Sequence, residues 1–379
     1  MKQFLLFFFG FFWAVYVTAQ PPQTKNNSNG VIINSNAWEN SPQLLDSAHL
    51  LINNKDIDRI PAANDEEMRQ QESTMFKKEA DSYKLRKTQV KNNAFSRSAS
   101  EAEEIQLKQS VTKLQGVAQT PTEQIEANIL YYDQGNYNAD RAPQLREALR
   151  INPNHPQGLT LLLANSLVTG DTMMVLNTLA KFKELQMIPE PMKCYGYDLI
   201  KSVPDYTTVI THGTLDTYSA IQEQLITRKT TIDIVSLDLL QSPQYRALLL
   251  KKGYTIPVQS TVDVNYLGDL IRVNSEKQFA FSMTIPSEYL VQFEQSLVPH
   301  GLVFLYTDNI SAEQILQTNE QFMDSFTYMD CGDGLDQSIA PLKQNYMPMI
   351  LTVETLSSDK SKDKRTKIEN KKIKIRQKN

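Results

Sequence analysis

The sequence has little with which to hold a metal or a covalent intermediate. Its 379 residues include four histidines and two cysteines, with no Cys-x-x-Cys pair and no Cys/His spacing suited to zinc. The His-Glu-x-x-His metalloprotease pattern, the Gly-x-Ser-x-Gly nucleophile elbow and any Cys/His nucleophile pattern are missing as well. No Gly-rich turn runs into Lys-Ser/Thr to cradle a phosphate. The chain therefore offers no catalytic residue set, no metal ligands and no cofactor site by motif.

Long apolar runs are also scarce. The one at Phe4–Val17 follows Lys2 and ends in Val17-Thr18-Ala19, the layout of a secretory signal cleaved before Gln20. It is shorter than the ~20 residues that span a bilayer, which disfavours the alternative of a retained anchor. With no cysteine after the run, lipoprotein processing is not expected. The expectation is an exported chain, periplasmic or associated with the cell envelope, soluble once processed and without a transmembrane span.

Export would place Cys194 and Cys331 where a disulfide is tolerated. Sequence alone does not bring their Cα atoms within bonding range, and two separate buried thiols are the expectation. The net charge of −4 conceals an uneven distribution. Ser358–Asn379 carries ten basic residues against Asp359, Asp363 and Glu369, a net +7, which leaves about −12 on the body from Gln20 onward. An acidic body speaks against a nucleic-acid binder. The basic tail reads as solvated chain, with weak contact to acidic lipid or polysaccharide as its sharper reading.

Residues 1–19 are read as signal and 20–119 as a disordered to partly helical leader. Its first part is rich in Asn, Gln, Ser and Pro. Its second part is helical in composition but sparse in apolar positions, which suggests a solvated helix. The pattern sharpens at Thr120-Pro121-Thr122-Glu123, a capping box with proline at the first helical position. Four helices follow, with breaks at Gly135, Pro153, Gly170 and Pro189. Gly135 and Gly170 are 35 residues apart and Pro153 and Pro189 are 36 apart, near the ~34-residue tetratricopeptide period. Residues 120–203 are thus expected to form a tetratricopeptide-like helical pair.

From residue 204 strands alternate with helices. Strands are expected at Thr207–Thr211, Thr231–Leu240, Phe279–Ile285 and Gly301–Thr307, with a helix over Asp216–Arg228 and another over Pro286–Val298. That alternation implies a three-layer α/β domain over 204–357 with a mostly parallel sheet. The basic tail at 358–379 is expected to be disordered. The fold class is an α-helical module followed by an α/β domain, with disordered ends.

The turn Gly213-Thr214-Leu215-Asp216-Thr217-Tyr218 resembles a loop of bacterial envelope proteins that reads Gly-Asp-Asn-Asp-Thr-Phe/Tyr. That loop occurs in the soluble part of membrane proteins related to protein O-mannosyltransferases, and in exported proteins carrying helical repeats before it. Gln224 matches a glutamine at the helix end in that family, Thr231–Leu240 its second strand and Tyr245 the aromatic after it. Phe279–Ile285 and Gly301-Leu302 resemble its later strands. The resemblance spans about Leu130–Leu351 and implies an α/β domain with its loop at the carboxyl end of the first strand. Thr214 and Leu215 replace the family's acidic and amide residues, so Asp216 stands alone. Nothing here corresponds to the multi-pass part that would carry glycosyl transfer, and no transferase activity is expected.

His212, Gly213, Asp216 and Thr217 are the candidate ligand-binding residues. Asp216 and Thr217 begin a helix, where capping of backbone N–H groups is the plainer role. A histidine and a carboxylate across a turn could also perform acid–base work. Asp330-Cys331-Gly332-Asp333-Gly334-Leu335-Asp336 has the oxygen-rich character of a calcium loop, but lacks its spacing and its terminal glutamate. His155, His49 and His300 have no ligand spacing. The function expected is an exported envelope protein that binds a protein partner or a ligand without catalysis. The alternatives are a carbohydrate-active enzyme or accessory subunit using His212 and Asp216, and a structural part of a larger envelope machine.

Overall fold

The computed structural model describes residues 63–93, 101–259, 261–331, 339–357 and 362–376. The expected signal, the leader up to residue 62 and the glycine-rich loop at 332–338 lie outside the described residues. Fourteen α-helices and five strands are found among those described, an α+β protein dominated by helix. The chain forms two compact units, one of 188–237 and 274–376, the other of 63–187 and 238–273. Their limits differ from the sequence boundary at 203/204, because the helix before the first strand packs with the sheet unit.

The helical unit begins with α1 (Ala63–Asn93) and α2 (Glu101–Val117), followed by α3 (Pro121–Gln134). Phe76, Ala80 and Tyr83 of α1 meet Leu107, Val111 and Leu114 of α2 and Ala127 and Leu130 of α3 in one buried cluster. This corrects the expectation of a solvated leader helix. Both helices carry apolar residues at i, i+4 and i+7, a narrow stripe that suffices when two similar stripes meet. Lys113 pairs with Glu79 at 2.9 Å and Lys84 with Glu126 at 2.6 Å across the helices.

The capping box at the start of α3 forms as expected, with Glu123 Oε2 accepting from Thr120 N at 3.0 Å and Gln119 N at 2.9 Å. Next come α4 (Ala142–Ile151), α5 (Pro156–Thr169) and α6 (Thr172–Glu184). His155 caps α5, its Nδ1 accepting from Gly158 N at 3.2 Å, and Tyr132 OH donates to Asn165 Oδ1 at 3.3 Å between α3 and α5. After residue 237 the chain adds α9 (Pro243–Lys251) and α10 (Val264–Arg272) to this unit.

The sheet unit opens with α7 (Glu190–Ser202), β1 (Thr207–Thr211), α8 (Thr214–Thr227) and β2 (Asp233–Ser236). It resumes with β3 (Gln278–Ser282), α11 (Ser287–Leu290), β4 (Leu297–His300) and β5 (Val303–Tyr306). The strand order is β2-β1-β3-β5-β4. β2 and β3 flank β1 in parallel, whereas β5 joins β3 and β4 joins β5 antiparallel. The sheet is therefore mixed, correcting the mostly parallel expectation.

The difference comes from β4 at Leu297–His300, whose first two residues sequence periodicity assigns to the end of a helix. Pro299 lacks an N–H and so suits an edge strand, and β4 is the edge. Gly301, at φ +65°, turns the hairpin into β5. A Cβ on Gly301 would lie 2.3 Å from Ser202 Oγ, so the turn needs glycine both for its backbone and for its close approach to α7.

All five residues of β1 are buried, and α8 packs along α7, where Gly196 allows the backbone of Ser219 to come close. The unit closes with α12 (Ala312–Ser325), α13 (Met347–Leu356) and α14 (Lys362–Arg376). α14 replaces the expected disordered tail. Its Ile368 and Ile375 are buried, Lys372 pairs with Glu354 of α13 at 2.6 Å, and Lys364 pairs with Glu320 of α12. The ammonium of Lys371 lies 4.3 Å from the centre of the Tyr328 ring. A basic stretch becomes an ordered helix when acidic neighbours absorb its charge and two isoleucines share one face.

Candidate functional site

The candidate residues gather at the carboxyl ends of β1 and β3, within the sheet unit. β1 ends at Thr211, His212 follows, and Gly213 precedes the first turn of α8 with φ +87° and ψ 147°. Such a conformation is close to glycine-only. A Cβ placed on Gly213 would meet nothing within 4 Å, so this turn faces open space.

Asp216 stands three residues into α8 and is turned inward. Ser282 Oγ, at the end of β3, donates to Asp216 Oδ1 at 3.3 Å. Thr284 Oγ1 donates to Asp216 Oδ2 at 2.9 Å, and the two hydroxyls are 3.0 Å from each other. The carboxyl is buried, with 4 % of the residue exposed. Burial raises its pKa from 3.8 to about 6, against the lowering influence of Thr284, Ser282, the His212 backbone and the His212 charge. Loss of hydration penalises the ionised form more than these contacts favour it.

Asp216 takes a backbone hydrogen bond at His212, in keeping with the capping expectation, and adds to it partners from a distant segment. Its hydroxyl partners come from the end of β3 and from just beyond it, 66 and 68 residues away. Thr217 likewise faces inward, its Oγ1 2.9 Å from Thr211 Oγ1. His212 is buried beside Asp216, with 8 % of its surface exposed. Of the four candidates the structure thus brings His212, Asp216 and Thr217 into one buried polar cluster and leaves Gly213 on its open side. At the far end of α8, Gln224 Nε2 donates to Ile232 O at 2.7 Å and Lys229 O at 3.3 Å, pinning the helix end to the approach to β2.

A second buried carboxylate carries no motif. Asp198 of α7 is fully buried. It accepts from Thr327 N at 2.9 Å, Thr327 Oγ1 at 2.8 Å, Tyr328 N at 3.1 Å and Tyr346 OH at 2.8 Å. Burial raises its pKa while these bonds lower it. One turn earlier on α7, Cys194 is disulfide-bonded to Cys331 with a Cα–Cα distance of 6.4 Å. The expectation of two separate thiols is corrected, because Asp198 draws residues 327–328 onto α7 and delivers Cys331 with them. The only local signal was a charged residue among apolar helix positions at Tyr195, Leu199 and Ile200.

Asp330, the first acid of the oxygen-rich loop, pairs with Lys343 at 2.9 Å. Among the described residues no group of three or more His, Cys, Asp or Glu side chains is placed to hold a metal. His300 serves the fold, its Nδ1 2.6 Å from Ser202 O, and burial lowers its pKa.

No protein-family model, curated protein or solved structure matches this chain. No helix among the described residues is long and apolar enough to cross a membrane.

Proposed function

We propose that this protein is an exported cell-envelope binding protein that acts by holding a partner or ligand rather than by catalysis. The observation that carries this reading is the state of Asp216. Both carboxylate oxygens are engaged by buried hydroxyls, so the one acid in the turn is spent on the fold and is not presented to a substrate. The open side of Gly213 is the surface such a ligand would meet. The Cys194–Cys331 bond supports export, since disulfides persist in oxidising compartments. The tetratricopeptide-like character of α3–α6, a protein partner for it, a three-layer stacking of the sheet unit and kinship with the envelope family of the Gly213 turn belong to the same proposal.

Purified chain incubated with glycoside and phosphate-ester substrates should show no turnover. Turnover that disappears in Asp216→Ala would overturn the reading. Capture from envelope fractions by the chain with and without residues 20–119 should separate a partner held by the leader from one held elsewhere.

One observation favours the second reading, a carbohydrate-active enzyme or accessory subunit. His212 acts electrostatically on Asp216, and a carboxyl titrating near pH 6 is in the range of general acids. A bell-shaped rate profile with a limb near pH 6, abolished by Asp216→Asn, is the result this reading requires.

A further inference from the structure

We propose that Asp216, Ser282 and Thr284 form a proton-operated latch that fastens the amino end of α8 to the carboxyl end of β3. The latch is a property of the turn itself and does not depend on any ligand or on the binding reading.

Three features of the geometry support it. The carboxyl bridges two elements, α8 by its own backbone and β3 and the residues just after it by the hydroxyls at 3.3 and 2.9 Å. The turn it secures contains Gly213 at φ +87°, with nothing within 4 Å of where a Cβ would sit, so the turn is a glycine-dependent bend not packed on that side. Finally, the partners can serve either protonation state. Ser282 Oγ and Thr284 Oγ1 are 3.0 Å apart and either can be the donor. With the carboxylate ionised, both hydroxyls donate to it. With the carboxyl protonated, one hydroxyl rotates to accept its proton and donates to the other, without movement of heavy atoms.

The two states differ in free energy, however. The ionised carboxylate is deprived of water, a cost that two hydroxyl bonds and the His212 backbone offset only in part. Charged and titratable groups on the surrounding elements are Glu190, Lys193, Tyr195, Tyr197, Asp198 and Lys201 on α7, Tyr218 and Glu223 on α8, Asp233 on β2, Glu288 and Tyr289 on α11, and His212 after β1. Of these, His212 is the charge that bears on Asp216. Its attraction is overcome by burial.

When the turn opens, Asp216 regains water and its ordinary acidity. Opening is therefore favoured above the buried group's titration point and suppressed below it. The closed state is gained as pH falls from about 6 towards 3.8, by at most about tenfold per pH unit.

Amide hydrogen exchange of the full chain, followed by mass spectrometry between pH 4.5 and 7.5 and corrected for intrinsic rates, tests this. Peptides covering residues 211–218 should lose protection by about tenfold or more as pH rises through 6, and the change should be absent in Asp216→Asn. Thr284→Val removes one stabilising hydroxyl, so its transition should move to higher pH; this variant decides the matter if Asp216→Asn does not fold. An identical transition in wild type and Asp216→Asn, or an unmoved midpoint in Thr284→Val, overturns the latch.

Discussion

Thr284 Oγ1 and Asp216 Oδ2 lie 2.9 Å apart, a hydrogen bond from just beyond β3 to the first turn of α8 that no local pattern announces. Its energetic signature is a pH dependence. Asp216 has a folded pKa of about 6 against an ordinary 3.8, so the folded state binds a proton more readily than the unfolded chain. Its ionisation therefore weakens the fold above pH 6, and that penalty fades as pH falls from 6 to 3.8. The full difference is on the order of 3 kcal/mol at ~1.4 kcal/mol per unit. Urea denaturation at a series of pH values should show this component in wild type, and Asp216→Asn should lack it.

Asp198→Ala should be among the most damaging substitutions in the sheet unit. It strands the backbone N–H groups of Thr327 and Tyr328 and the hydroxyl of Tyr346 in a buried site, at about 1–3 kcal/mol for each group left unmet. Asp198→Asn keeps one acceptor and should cost less. Denaturation midpoints of the two variants provide the comparison, and equal losses would contradict it.

Reduction of Cys194–Cys331 should destabilise the chain by about 2–5 kcal/mol, because the bond closes a loop across a sequence separation of 137. Denaturation with and without reductant, repeated with Cys194→Ser, measures it. The Asp198 contacts to Thr327 and Tyr328 are unaffected by reduction, so near-native structure should persist.

Two glycines with positive φ should respond differently to alanine. Gly213→Ala meets open space and should cost the backbone strain alone, about 1–3 kcal/mol. Gly301→Ala adds a contact of 2.3 Å with Ser202 Oγ and one of 2.8 Å with the Phe326 ring, and should be the more destabilising in thermal melts.

What the sequence revealed and what it hid divide along the range of the interactions. The capping box at Thr120, the stop at Gly170 and the strand–turn–helix around Gly213 are encoded within a few residues, and they were readable. The hydroxyl partners of Asp216 and the partners of Asp198 are 66 to 148 residues away, so those contacts depend on a tertiary arrangement that spacing does not contain. β4 is concealed by its own sequence, since Leu297-Val298 continues an amphipathic pattern and Leu297–His300 becomes a strand with β5 beside it. The packing of α1 on α2 is written in matched i, i+4, i+7 positions, set among polar residues that obscure the stripe. The helix α14 was masked in the same way, its lysines suggesting solvent until the acids of α12 and α13 are placed beside them.

The disulfide has a topological consequence as well. Every strand among the described residues, from Thr207 to Tyr306, lies between Cys194 and Cys331, and so does the excursion 238–273 into the helical unit. A protease that cuts the backbone once anywhere between the two cysteines leaves a single covalent molecule. Such a nick would go unseen on a non-reducing gel and yield two fragments once the bond is reduced.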